Sequence, residues 1–306
     1  MSSTVAVIGA GTIGRSFAYL FARSGYTVRV FDPRSDLAEV VAELQADVTA
    51  DASARNELAS QVGTVEIAET VEAAVAGVVF VQEPRPEDPE SKPVLFSQIA
   101  EAAPTETVFA TSSSTIPASS IAAALPESAA SRVIVGHPFN PPHLMPLVEV
   151  VPSPQTSTET VDATVEFYRS CGREPVVLGR EIRGFVGNRL QNALMKEAIS
   201  LVQNGVVTAA DLDTVMKNSL GLRWSAVGQF EGMHFGGGEA GIRGFMDHIG
   251  PAFAAIEDLP VDVDPAGMED VFEQVEEAYG PTPTPQAAAV RDRIQKAVLD
   301  ARGQGR

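Results

Sequence analysis

Lysine is almost absent from this chain. Only Lys92, Lys196, Lys217 and Lys296 occur, against 40 Asp and Glu, and with arginine included the formal net charge is still −18. Nucleic acid and anionic membrane surfaces are held by clustered Lys and Arg, so neither is an expected partner. Cysteine is scarcer: Cys171 stands alone. That excludes an intrachain disulfide, a thiolate zinc cage and a dithiol redox pair, and no metal centre is expected. Apolar runs stay short of the roughly eighteen residues that a membrane span requires. Ahead of the first strand-like run stand Met1, Ser2 and Ser3, with no basic and apolar leader, and a cytoplasmic protein is the expectation. The 306 residues, 44% hydrophobic and 20% charged, have a globular composition and suffice for one large domain or two.

Thr4-Val5-Ala6-Val7-Ile8 is a β-branched run that breaks into Gly9-Ala10-Gly11-Thr12-Ile13-Gly14. A helix is predicted next, over Arg15 to Ser24, and then a strand over Thr27 to Phe31 that ends on Asp32. Glycine spacing alone is a weak signal. Strand, GxGxxG, helix, strand and an acid about twenty residues on together form a dinucleotide-binding fingerprint. The glycines permit a tight turn and let the backbone approach a pyrophosphate at the helix N-terminus. Gly9, Gly11, Thr12, Ile13 and Gly14 are therefore candidate cofactor-binding residues. Asp32 would take both ribose hydroxyls and repel a 2′-phosphate, favouring NAD over NADP, while Arg34 keeps NADP possible.

Strand and helix signals then alternate. Helices are predicted over Asp36 to Gln61, Thr70 to Ala76, Ser91 to Ala102 and Ser157 to Cys171. Strands are predicted over Val65 to Ile67, Gly77 to Val81, Thr107 to Ala110, Arg132 to Val135, Leu147 to Val151 and Glu174 to Leu178. Such alternation predicts a doubly wound, Rossmann-type α/β sheet. Past Arg180 it stops, and helices are predicted over Asn188 to Asn204, Ala209 to Leu220, Gly241 to Glu257, Ala266 to Ala278 and Gln286 to Arg302. The change of period places a boundary near Gly184, dividing an NAD-binding domain (1–183) from an all-α domain (184–306). The tail from Gly303 to Arg306 is expected to be disordered.

His137 stands in Gly136-His137-Pro138-Phe139-Asn140-Pro141-Pro142, between two strand-like runs, and Glu149 lies inside the apolar run Leu147-Val148-Glu149-Val150-Val151. A turn histidine and an edge-strand glutamate are the plain alternative. A carboxylate among such neighbours is costly unless paired, and a histidine whose ring it holds is a tuned general base. The run Thr111-Ser112-Ser113-Ser114-Thr115 ends a predicted strand, where a doubly wound sheet binds its ligands. Taken alone, it reads more readily as a helix N-cap.

Together these motifs resemble the 3-hydroxyacyl-CoA dehydrogenase family along nearly the whole chain. The matching residues are the Gly9 to Gly14 turn, Asp32, Glu87 with Lys92 before Leu95-Phe96, the serine run, His137 to Pro141, Glu149, and Gly184-Phe185-x-x-Asn188-Arg189. His137 to Pro142, Pro146 to Glu149, Asn188 to Gln191 and Gly221-Leu222-Arg223 look most like the lambda-crystallin, L-gulonate 3-dehydrogenase and carnitine dehydrogenase branch. The resemblance implies a His137–Glu149 base, Ser114 (uncertain by one position) and Asn188 on the reacting oxygen, Glu87, Lys92 and Asn140 along the cofactor, and a homodimer built on the helical domain. Acyl-CoA members carry lysines around the helix after the Asp32 strand. Here Ser35 to Ser91 contains none, so the chemistry carries over and the CoA is not expected to.

The expected reaction interconverts a β-keto acid or ester and its β-hydroxy form on a non-CoA substrate. Aromatic polyketide ketoreduction in antibiotic biosynthesis is the first reading, and a gulonate- or carnitine-type 3-dehydrogenase or an acyl-CoA dehydrogenase is the alternative. Arg223 is the candidate anchor for a substrate carboxylate, because its planar fork bonds both oxygens. The glycine-rich stretch Gly232 to Glu239, with Trp224, Phe230 and Phe245, reads equally as a roomy lid or as helix packing. A non-catalytic NAD-binding structural protein is the reading from another class. The Ser114, His137, Glu149 and Asn188 set speaks against it.

Overall fold

The computed structural model describes residues 3–54, 62–256, 263–282 and 284–303. The expected continuation of the second helix to Gln61, the end of the helix expected to reach Glu257, and the last three residues of the expected disordered tail lie outside the described residues. Two compact units divide after Asn188.

The first unit alternates strand and helix. In chain order it holds β1 (Thr4–Ile8), α1 (Thr12–Arg23), β2 (Thr27–Phe31), α2 (Leu37–Ala54), β3 (Val65–Ile67), α3 (Val71–Val75), β4 (Phe80–Glu83) and α4 (Ser91–Ala102). It continues with β5 (Val108–Thr111), α5 (Ala118–Ala122), α6 (Glu127–Ala130), β6 (Val133–Pro138), β7 (Leu147–Pro152), α7 (Thr158–Ser170) and β8 (Glu174–Val177). Among the described residues these strands form one eight-stranded sheet in the order β3-β2-β1-β4-β5-β6-β7-β8. Neighbours are parallel except β6 and β7, which run antiparallel.

Alternation along β1 feeds two cores. Val5 and Val7 pack with Phe17 and Phe21 of α1, Leu44 of α2 and Phe167 of α7, whereas Ala6 and Ile8 pack with Phe96 and Ile99 of α4 and Ile121 of α5. Burial on both faces is why the strand reads as a continuous apolar run. The strand order reverses between β1 and β4, and the crevice beyond the carboxyl ends of the strands at such a point is where these sheets take their ligands. The glycine turn and the Pro84 to Pro89 loop both leave the sheet there.

The second unit is helical throughout. Helix α8 (Gly187–Gln203) begins just before it, followed by α9 (Ala209–Asn218), α10 (Leu220–Trp224), α11 (Gln229–Gly236), α12 (Gly241–His248), α13 (Gly250–Ala254), α14 (Met268–Tyr279) and α15 (Pro285–Ala301). The single helix expected from Gly241 is broken at Gly250, because Pro251 in the first turn of α13 has no N–H to continue the ladder. The chain turns at Ser219, and Gly221 lies inside α10, where a Cβ would come within 2.9 Å of the Met216 carbonyl. Within the glycine-rich stretch the backbones approach closely: a Cβ on Gly237 would come within 1.6 Å of the Gly241 carbonyl. Among the described residues no helix is long and apolar enough to cross a membrane.

A tight contact underlies the strand that carries His137. A Cβ on Gly136 would lie 2.0 Å from the hydroxyl of the fully buried Tyr168, which itself donates to Gln82 Oε1 at 2.6 Å. The ring cannot yield without breaking that bond. Gly136→Ala should therefore destabilise the protein by about 1–3 kcal/mol, measured by urea unfolding, and an unchanged midpoint would mean that the ring moves freely.

Candidate active site

Strand register builds the central pair. The strand expected to stop at Val135 continues through Pro138, so His137 is a strand residue, directly opposite Glu149 on β7. Directly opposed residues of an antiparallel pair share a face, and His137 Nδ1 lies 2.8 Å from Glu149 Oε2. Both residues are buried, at 4% and 2% exposure. A carboxylate only accepts, so the neutral ring carries its proton on Nδ1, and the Nε2 lone pair is left for chemistry. Ser114 Oγ lies 3.0 Å from that Nε2.

The second oxygen of Glu149 is held by backbone. Oε1 accepts from the N–H groups of Val186 and Gly187, each at 2.9 Å. Gly184 (φ 77°) and Phe185 (φ 48°) both lie in the left-handed region, which turns the chain and lets the next two N–H groups converge on one anion. For a non-glycine residue that conformation costs about 1–2 kcal/mol. Packing holds Phe185 there: it is buried, with its ring 5.3 Å from that of His137. Burial pushes the Glu149 carboxyl up, but the hydrogen bonds from His137, Gly187 and Val186 outweigh it and hold the carboxyl below the ordinary glutamate range. Glu149 is thus an anion at neutral pH. Its contribution to stability is present above the ordinary glutamate pKa and is lost as pH falls through the depressed value.

The three serines separate by partner. Ser112 Oγ accepts from Gln82 Nε2 at 2.8 Å, and buried Ser113 donates to Glu87 Oε2 at 2.8 Å. The Ser114 N–H donates to Glu87 Oε1, leaving the Ser114 hydroxyl to face the histidine. Asn188 is half-exposed in the first turn of α8, one residue past the N–H that holds Glu149, and its side-chain amide has no hydrogen-bond partner among the described residues.

At the carboxyl ends of β1 and β2, the residues fit a dinucleotide. Gly9 has φ 124°, and a Cβ on Gly14 would come within 1.9 Å of the Gly9 carbonyl, so the turn tolerates only glycine at both positions. Gly11 caps α1 with open space around it, no side chain caps that end, and its first turn, with Thr12 and Ile13, carries no acid. That is the cradle an anion at a helix N-terminus requires. Asp32 accepts from the Ala10 and Arg34 N–H groups at 2.7 and 3.0 Å, and lone pairs remain for ribose hydroxyls. Asn140 is exposed on the loop that follows β6.

Lys92 departs from expectation. Its ammonium is 1% exposed and donates to both oxygens of Glu83 at 2.7 Å and to the Arg85 carbonyl at 3.2 Å. An ammonium has three N–H groups, so none remains for a cofactor, and Lys92 secures the loop that carries Glu87. Glu83, which also accepts from Thr111 Oγ1, has a sequence signal in hindsight, since Gln82-Glu83 ends an otherwise apolar strand. The bond of Ser16 Oγ with His143 Nδ1 at 2.7 Å, which ties α1 to the β6–β7 connection, spans 127 residues and has none.

A sheet wound about a glycine turn, with a buried His–Glu pair set across its antiparallel strand pair, defines an NAD-dependent dehydrogenase. Residues 4–182 match the 3-hydroxyacyl-CoA dehydrogenase NAD binding domain, and residues 184–268 match the C-terminal domain of the same proteins. The chain belongs to the 3-hydroxyacyl-CoA dehydrogenase family and is an NAD-dependent enzyme of the 3-hydroxy acid type. A 3-hydroxyacyl-CoA dehydrogenase of Gibberella moniliformis is 35% identical, over 98% of this chain and 94% of the relative. An L-carnitine dehydrogenase of Streptomyces griseus is 37% identical over 82% of this chain and 75% of the relative, in the branch that the motifs resemble. Among solved structures, 5-formyl-3-hydroxy-2-methylpyridine 4-carboxylic acid 5-dehydrogenase, an NAD+-dependent dismutase, is 27% identical with a TM-score of 0.78, covering 99% of this chain and 98% of that one.

Replacing His137 by Gln should lower kcat by about 10²–10⁴-fold and leave NADH affinity within about threefold. Glu149→Gln should approach the same loss. With Oε1 fixed by two N–H groups, the amide NH₂ faces His137 Nδ1 and forces the proton onto Nε2, the wrong tautomer for a base. Steady-state kinetics with cofactor titration checks both variants; turnover within threefold of the parent in either would remove that residue from the chemistry.

Proposed function

We propose that the chain oxidises a small free 3-hydroxy acid to the 3-keto acid, as a carnitine- or gulonate-type dehydrogenase. The observation that carries this is the state of its cations. Arg15, Arg23, Arg29 and Arg34, on and around α1, β2 and α2, are all ion-paired, with Glu43, Asp51, Glu66 and Asp36 respectively. No lysine occurs between Ser35 and Ser91. A polyphosphate such as that of CoA meets a neutralised, acidic surface here. The relatives speak for this reading over ketoreduction of an aromatic polyketide: one is named for L-carnitine, whose structure is that of a free 3-hydroxy acid, and the dismutase for a pyridine carboxylic acid. The full-length match to a 3-hydroxyacyl-CoA dehydrogenase supports the thioester as a second reading.

The bound nicotinamide supplies the hydride chemistry. His137 Nε2 takes the proton of the substrate hydroxyl, and Glu149 holds the ring and stabilises the imidazolium that results. The Ser114 hydroxyl and the free Asn188 amide stabilise charge on that oxygen. The Gly9 to Gly14 turn and Asp32 hold the cofactor, with Glu87 and Asn140 along it. Arg223 is exposed on α10 and forms no ion pair among the described residues; it anchors the carboxylate. A second copy of the chain covers the helical unit, where Leu190, Phe230, Phe235 and Phe253 are each more than 60% exposed, more apolar surface than a monomer usually leaves in water.

The test is NAD+ reduction with L-carnitine, L-gulonate and 3-hydroxybutyrate against 3-hydroxybutyryl-CoA. A free acid should exceed the thioester in kcat/KM by about tenfold or more, an order of magnitude being about 1.4 kcal/mol of transition-state binding, and the reverse order would establish the second reading. Arg223→Met should raise KM for the acid about tenfold or more, as loss of a charge-assisted bidentate contact does, and leave a neutral ester of the same compound little changed. Equal losses would make Arg223 structural.

A further inference from the structure

Arg34 stands beside the carboxylate read as the ribose acceptor, and its guanidinium is already engaged. Its backbone N–H bonds Asp32 Oδ1 at 3.0 Å, so its side chain starts where a 2′-phosphate would have to be received. Nε and Nη2 donate to the two oxygens of Asp36 at 2.5 and 2.7 Å, and Nη1 donates to the Ala10 carbonyl at 3.0 Å. A planar fork that matches a carboxylate also matches a phosphate. Here a carboxylate holds it. The hydrogen bond from Arg34 is the largest influence on the Asp36 carboxyl and keeps it below the ordinary aspartate range, so the pair is charged at neutral pH.

We propose that Asp36 is a cofactor-specificity residue. Asp32 repels a 2′-phosphate directly, and Asp36 withholds an arginine that would otherwise welcome it. The arginine that keeps NADP possible on sequence grounds is thereby disarmed by the residue two positions on. The inference rests on the reading that Asp32 meets the adenosine ribose. Asp36 also precedes α2, where its carbonyl accepts from the Val40 N–H, and a capping role is the competing explanation. Serine is as good an N-cap as aspartate, so Asp36→Ser removes the clamp and keeps the cap.

The two explanations separate in a binding cycle. Calorimetric dissociation constants for NADH and NADPH are measured on the parent, Asp32→Ser, Asp36→Ser and the double variant. Asp32→Ser should weaken NADH and improve NADPH only modestly, because Arg34 stays clamped. Adding Asp36→Ser to it should improve NADPH by about fivefold more, the upper end for an exposed pair, with the gain shrinking as salt is raised. Asp36→Ser alone should leave NADH within about twofold. Equal NADPH affinity in Asp32→Ser and the double variant would overturn the proposal, as would an Asp36→Ser that weakens both cofactors alike. NADH affinity unchanged by Asp32→Ser would overturn the ribose assignment itself, and the proposal with it.

Discussion

A carboxylate buried in a β-sheet is the constraint on which the rest of this active site depends. Glu149 is 2% exposed, and an anion so placed is tolerated only if its lone pairs are met. One oxygen has His137 and the other has two backbone N–H groups. Several otherwise unrelated features follow from that need. The β6–β7 register sets the histidine opposite, the left-handed Gly184 and Phe185 aim the amides, and Gly187 has no room for a Cβ, because the Phe139 ring would lie 2.2 Å away. The result is a histidine with one nitrogen fixed and the other presented.

The presented nitrogen is approached from the other side by a polar chain that begins in the sheet. Lys92 and Thr111 meet on Glu83, the Ser113 N–H bonds Thr111 Oγ1, Ser113 and the Ser114 N–H meet on Glu87, and the Ser114 hydroxyl reaches His137. Satisfied networks of this kind rigidify the groups at their ends. Two buried acids thus anchor the two sides of the proposed site, Glu149 behind His137 and Glu83 behind the serine loop.

Much of this was legible in the sequence, and the limits are physical. The β-branched run, glycine turn and Asp32 imply the nucleotide-binding half because each has a local cause. An acid in Leu147 to Val151 demanded a partner, which pointed to His137. Long-range partners left no local trace. Nothing in the spacing signals that Val186 and Gly187 face Glu149, because backbone N–H groups carry no side-chain signature. The buried Lys92–Glu83 pair went unread, although Gln82-Glu83 ends an otherwise apolar strand. Among the serines, motif spelling was ambiguous by one position, and it is the Ser114 hydroxyl that lies 3.0 Å from His137 Nε2. In the helical part, short helices such as α10 and α11 have too few turns to show a period, while long ones such as α8 and α14 do.

The central claim is that Glu149 fixes the proton of His137 on Nδ1 and leaves Nε2 as the base. Nitrogen-15 NMR of histidine-labelled protein tests it directly, with His137 identified among the four histidines by the signals lost in His137→Gln and the ring followed from pH 6 to 10. In the neutral ring the account predicts a protonated Nδ1 and a bare Nε2. A neutral His137 with its proton on Nε2 would contradict it.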